Sequence, residues 1–168
     1  RKLRKDSDDI YLGVAKKCTD PKLEDYRIKS LYAVAKRSFD RGITASSQEL
    51  FEQILKDYPE RSHADDALLY LARIARSRRK SEEEIALMTR ALKQYPDGDM
   101  VHELVWEVLE ADFRAGNFKT FLARLSKLEL PAHDNNYLSQ GRLEYFAGYA
   151  NAKLGKKELA KQAYLETW

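Results

Sequence analysis

Residues 95–116 read YPDGDMVHELVWEVLEADFRAG, and this one stretch carries a complete set of helix boundaries. Pro96 cannot sit inside a helix, because its ring removes a backbone N–H and crowds the preceding turn. Trp106 follows ten residues later, and Gly116 ten residues after that. Glycine at that point suits the left-handed residue that closes many helices.

The same marks recur on both sides. Pro21, Pro59, Pro96 and Pro131 are separated by 38, 37 and 35 residues. Tyr32, Tyr70, Trp106 and Tyr145 follow those prolines by 10 to 14 residues, and ten residues beyond each ring stands Gly42, Lys80, Gly116 or Gly155. The unit is a proline, a helix with an aromatic, a turn and a second helix. Between the marks the apolar residues keep helical spacing: Ile28, Leu31, Tyr32, Ala35 and Phe39 form one face, Leu50, Phe51, Ile54, Leu55 and Tyr58 another, and Phe118, Phe121, Leu122, Leu125 and Leu128 a third. None alternates with the period of a strand. Asp20 is placed to cap a helix that opens on Pro21, and Ser81 with Glu84 has capping-box spacing.

These signals predict helices near 21–41, 46–57, 64–78, 82–94, 99–115, 118–129, 136–154 and 157–167, with a weaker one near 8–17. A two-helix unit of this length cannot bury its apolar face alone, so units stack on their neighbours. The expected fold is all-α, a TPR-like α-hairpin repeat superhelix, or α-solenoid. Residues 1–20 are read as a linker or leading helix and 21–168 as the repeat domain. Because the chain starts at Arg1 and ends at Trp168 within a helical pattern, the domain is expected to be truncated at its C-terminal end. Gly141, Gly148 and Ala152 place small residues along one helix side, where a neighbour can approach closely.

From Gly148 onward the spacing resembles the tetratricopeptide pattern: Gly148, Gly155, Ala160, then Tyr164 at the large aromatic position. The earlier units depart from it, with Phe121 where the pattern prefers alanine and Lys80 in place of the turn glycine. A narrower resemblance runs from Glu49 to the end. The segments LFEQILKDYPERSHADDALLYLARIA, ALKQYPDGDMVHELVWEVLEADFRAGNF and SQGRLEYFAGYANAKLGKKELAKQAY resemble the helical, non-catalytic region of soluble lytic murein transglycosylases. That resemblance implies a periplasmic or cell-envelope location, peptidoglycan as the polymer handled, and a C-terminal catalytic domain in the same protein. The family's catalytic acid is a glutamate followed by serine, and no Glu-Ser dipeptide occurs in this chain. No catalytic residue carries over.

Composition narrows the function classes. The chain has 168 residues, 30 basic and 27 acidic, for a net charge of +3. That balance is not the footprint that phosphate backbones select, so nucleic acid is not an expected partner. The longest apolar run, Ala67 to Ala72, is far short of the roughly 20 residues that cross a bilayer. Cys18 stands alone and has no internal disulfide partner.

His63, His102 and His133 never take the i, i+4 spacing of a helical zinc site, so neither metal nor cofactor is expected. Asp65 with Asp66, and the run Glu82 to Glu84, open helices, where negative charge complements the helix dipole. The densest basic feature is Arg73, Arg76, Arg78, Arg79 and Lys80. On a continuous helix Arg73, Arg76 and Lys80 would share one face, a candidate surface for an anionic polymer or an acidic partner; compensation by Glu82 to Glu84 is the competing reading. Arg1, Lys2, Arg4 and Lys5 read as a basic linker or frayed terminus. Tyr32, Tyr70 and Tyr145 read as core wedges rather than sugar-stacking rings.

Two functions follow from this reading. The first is a scaffold that positions a separate lytic transglycosylase domain on murein. The alternative is an envelope TPR-type adaptor that binds protein.

Overall fold

The computed structural model describes residues 2–18, 20–61, 63–127 and 141–167, with the side chains of residues 2–6 excluded. Every regular element among them is helical. In chain order these are α1 (Lys2–Lys17), a 3-10 turn (Pro21–Leu23), α2 (Glu24–Asp40), α3 (Thr44–Asp57), α4 (Ala64–Ser77), α5 (Ser81–Gln94), α6 (Val101–Arg114), α7 (Phe118–Leu125), α8 (Arg142–Lys153) and α9 (Lys157–Leu165). The predicted ends at 128–129 and 136–140 lie outside the described residues, as does Pro131. The chain divides into two units, Arg1–Tyr95 and Pro96–Trp168. Hairpins α2/α3 and α4/α5 belong to the first, α6/α7 and α8/α9 to the second.

All four hairpins turn in the same way. The left-handed residue is Gly42, Arg79, Gly116 or Gly155, with φ between 61° and 75°. The N–H after it reaches back to the carbonyl five residues earlier: Ile43 to Ser38, Lys80 to Ala75, Asn117 to Asp112 and Lys156 to Asn151, at 2.9–3.0 Å. These bonds satisfy carbonyls that the helix end would otherwise strand. The repeat ruler is thereby corrected by one residue. Arg79, not Lys80, replaces the turn glycine, although a Cβ makes the left-handed region cost about 1–2 kcal/mol.

Two predicted starts also change. Asp20 does cap, accepting from the Lys22 N–H at 2.9 Å, but Pro21 opens a 3-10 turn before α2 begins. The Ser81 and Glu84 capping box does not form. Lys80 takes the N-cap position without a side-chain cap, and Glu84, 3% exposed, pairs with Arg76 instead. Its carboxylate takes a charge-assisted bond from a guanidinium across the hairpin in place of one from its own first turn.

Each unit has its own core. In the first, Ile28, Leu31, Phe51, Ile54, Tyr70 and Ile74 bury their side chains together. In the second, Trp106, Leu109, Phe121, Leu143 and Ala150 do so. Complete burial of side chains of this size stabilises by about 1.5–3 kcal/mol each before entropy is counted. Residues Lys2–Lys17 form a helix rather than a linker, and α1 packs on α2, where Asp8 pairs with Arg37 (2.8 Å) and Arg41 (2.6 Å).

The small-residue stripe is two features rather than one. Gly141 lies outside α8 at its N-cap, φ +87°, where its N–H donates to Glu144 Oε2 at 2.7 Å. Gly148 is the close approach: a Cβ there would sit 2.7 Å from the Tyr164 ring.

Candidate functional site

The basic residues singled out in the sequence do not form one helical face. α4 ends at Ser77, and the left-handed Arg79 turns the chain so that Lys80 introduces α5. Arg76 Nε donates to Glu84 Oε1 at 2.7 Å, linking the two helices of the hairpin. Lys80 Nζ lies 2.8 Å from Glu83 Oε2 on the exposed surface. Arg73, half-buried, stands over the Tyr70 ring at 5.4 Å. Compensation by the Glu82 to Glu84 run thus applies to Arg76 and Lys80, and the three cations have three different surroundings. The side chains of Lys2, Arg4 and Lys5 lie outside the described residues.

Several carboxylates are also not the solvated caps that helix-start positions suggest. Asp65, Asp66, Glu84, Glu107 and Asp112 are each at most 7% exposed. Asp112 forms an ion pair with Arg124 Nε at 2.8 Å, without the alignment of a hydrogen bond. Asp66 accepts from the Tyr32 hydroxyl at 3.2 Å and contacts His63 Nδ1 at 2.8 Å. His63 in turn lies flat on the Tyr32 ring, centroids 4.3 Å apart and planes 3° from parallel. Burial, with the neighbouring Asp66 carboxylate, pushes the Tyr32 phenol well above its ordinary pKa, so it remains a donor. His63 holds this position with a left-handed backbone, φ +78°, at the N-cap of α4. These groups tie one hairpin to the next. His102 belongs to α6, in the second unit, and His133 lies outside the described residues.

Rings do most of the tying. Tyr70 meets Phe39 (5.1 Å), Phe51 (5.0 Å) and Tyr32 (6.2 Å), while Phe146 meets Phe113 (4.7 Å) and Trp106 (5.1 Å). Tyr70 and Trp106 are buried as predicted for wedges. Tyr145 is not: it is 51% exposed, and its neighbour Phe146 faces the core. Tyr145 and Trp106 both stand ten residues before their turn glycines, but Trp106 is covered by Arg142 and Phe146 of the following hairpin. Tyr145 touches only rings of its own hairpin, Phe146 and Tyr164, among the described residues.

The second unit therefore presents an apolar surface. Tyr145, Leu159 and Leu165 are each more than half exposed. An open cavity of about 600 Å³ is lined by Ala152, Ala160, Tyr164 and Leu165, with Lys157 and Lys161 also on its wall, while Leu159 lies on the other flank of α9. The repeat spacing singled out Ala160 and Tyr164 but not which side chains of α9 remain outside. No helix among the described residues is long and apolar enough to cross a membrane.

A tetratricopeptide repeat family profile matches residues 66–98. No curated protein sequence matches the chain. Among solved structures, MamA of strain AMB-1 superposes with a TM-score of 0.61 at 14% identity, covering 99% of this chain and 91% of that one. MamA of MSR-1 gives 0.59 at 12% identity, with 98% and 91% covered. A kinesin light chain of Podospora anserina described as having nearly identical TPR-like repeats gives 0.67 at 14%, with 96% and 81% covered. At these identities the likeness speaks to fold, and it agrees with the four turns and the ring-on-ring junctions: the chain is a TPR-like helical-repeat protein.

Proposed function

We propose that the chain is a protein-binding adaptor module whose hairpins hold a docking surface rather than a reaction centre. The observation that carries this reading is the apolar surface of α8 and α9, where Tyr164 and the exposed Leu165 line an open cavity and the exposed Tyr145 ring lies against Tyr164. Water-exposed apolar side chains gathered with a rim of lysines suit an amphipathic partner helix that carries acidic residues along its edge. A photo-crosslinking residue at Ala152, exposed on the cavity wall and used in the source cell, tests this. A discrete crosslinked protein that disappears with Leu165→Asp supports the adaptor; crosslinks no richer than those from an exposed control position such as Lys56 overturn it.

The scaffold of a lytic transglycosylase is the second reading. It rests on the resemblance of the three segments beginning at Leu50, and neither the family match nor the structural similarities carry it. Peptidoglycan, an envelope location and a catalytic domain in the same protein belong to that reading alone. Sedimentation with purified sacculi separates the two: pelleting that is lost on combined reversal of Arg73 and Lys80 would favour the scaffold, and a chain left in the supernatant would favour the adaptor.

A further inference from the structure

A second cleft, in the first unit, lies between α1, α2 and α3 and encloses about 520 Å³. Arg27 is part of its wall. Arg27 stands fifteen residues before the left-handed Gly42; the corresponding place before Arg79 is Ala64, which is fully buried. Where the second hairpin packs a methyl group, the first has to house a guanidinium.

That guanidinium is held but not satisfied. Its carbon lies 5.6 Å from the centroid of the Tyr58 ring, itself 5% exposed, and its Nε is buried with no hydrogen-bond acceptor among the described residues. Arg27 has no ion-pair partner among the described residues, whereas Arg37 and Arg41 take Asp8, although Arg37 Nη2 is also buried without an acceptor, and Arg61 takes Glu24. The Arg27 Nε is out of a ligand's reach, and what the cleft offers an incoming acceptor is the rest of the Arg27 side chain that lines it, which no carboxylate among the described residues pairs. Arginine's planar fork matches a carboxylate in particular.

The rest of the cleft sets the form of that acceptor. Leu12, Leu31 and Leu50 line it with apolar surface. Lys16 adds a second cation at the rim. On the α3 side Ser46 and the exposed Glu49 line the cleft, and Glu49 has no ion-pair partner among the described residues. Cations beside a lone carboxylate over an apolar floor complement a group that carries an anion, an adjacent N–H or ammonium, and an apolar side chain.

We propose that this cleft binds the α-carboxylate of an apolar amino acid, either free or as the last residue of a peptide chain. Arg27 and Lys16 hold the carboxylate, the leucines receive the side chain, and Ser46 and Glu49 accept from the ligand nitrogen. This site is separate from the apolar face of α8 and α9 and does not depend on it.

The whole chain, labelled with nitrogen-15, is titrated with leucine, N-acetyl-leucine and N-acetyl-leucinamide while the Arg27 Nε–H and cleft amides are followed by NMR. Expected is a saturable shift with the two carboxylates and at least tenfold weaker binding of the amide. Arg27→Met, which keeps the apolar stem, loses the response, and Arg27→Lys keeps part of it. Tighter binding of leucine, abolished by Glu49→Gln, assigns the site to the free amino acid; tighter binding of N-acetyl-leucine assigns it to a chain terminus. Equal binding of the amide, or no saturable shift up to about 10 mM, where even a contact of about 4 kcal/mol would register, overturns the proposal. Retained amide dispersion in the variants shows that the fold is intact.

Discussion

The junction between α2 and α4 and the junction between α6 and α8 are built from rings at the same positions and from different polar groups. Counted from the left-handed turn, Phe39 matches Phe113, Tyr32 matches Trp106, and Tyr70 matches Phe146. In both, the following hairpin drives a ring edge-on between two rings of the preceding one, with interplanar angles of 60–89°. Around this shared wedge the chemistry diverges. The first junction adds a phenol donating to buried Asp66 and a stacked His63; the second lays Arg142 over the Trp106 ring at 3.8 Å. The aromatic step from the turn is what repeats, and each polar complement is fitted locally around it.

The largest expected effect tests that register. Trp106→Ala, which removes a 5% exposed ring, is expected to cost about 3–5 kcal/mol. Tyr145→Ala removes the ring at the same distance from its turn, yet should cost less than about 1 kcal/mol, because that ring is half in water. Equal shifts in the urea midpoints would break the correspondence between burial and the next hairpin.

Next comes the split between two neighbouring cations. Arg76→Met leaves the buried Glu84 without its cross-helix guanidinium, and a loss of about 3 kcal/mol is expected. Lys80→Met removes only an exposed pair and should change stability by no more than about 0.5 kcal/mol. Denaturation of the two variants side by side distinguishes a structural arginine from a surface lysine.

Gly148→Ala is expected to cost about 1–3 kcal/mol by pushing against Tyr164. Adding Tyr164→Leu should recover part of that loss, a coupling that a double-mutant cycle measures. The smallest change is of opposite sign: Arg79→Gly relieves the left-handed backbone and should stabilise by about 1 kcal/mol, read as a raised thermal midpoint.

The hairpins and turns were legible in the sequence because proline and glycine act through their own backbone restrictions. What displaced the ruler by one was Arg79, a residue whose type gives no hint of a positive φ. Tyr70 and Trp106 were legible as wedges from spacing, but the exposure of Tyr145 depends on what covers it, and spacing along one helix does not encode that. The supposed basic face of Arg73, Arg76 and Lys80 required an unbroken helix; once α4 stops at Ser77, side-chain direction is set by the turn. The buried carboxylates escaped notice for a related reason: Asp66, Glu84 and Asp112 are answered by Tyr32, Arg76 and Arg124, partners 34, 8 and 12 residues away in the chain. Arg27 drew no reading from the sequence, because its neighbours in the cleft come mostly from α1 and α3 and nothing next to it in the chain marks them.

The bare backbone at Gly148 has a spectroscopic consequence. One of its two α-protons occupies the direction in which a Cβ would meet the Tyr164 ring, so it sits within that ring's magnetic field. Its resonance should stand apart from those of the glycines with nothing close by, such as Gly42 and Gly116. A single glycine line then reports whether α8 and α9 are closed on each other, with no label attached and no side chain changed, during denaturation or while a partner arrives at the face beside it.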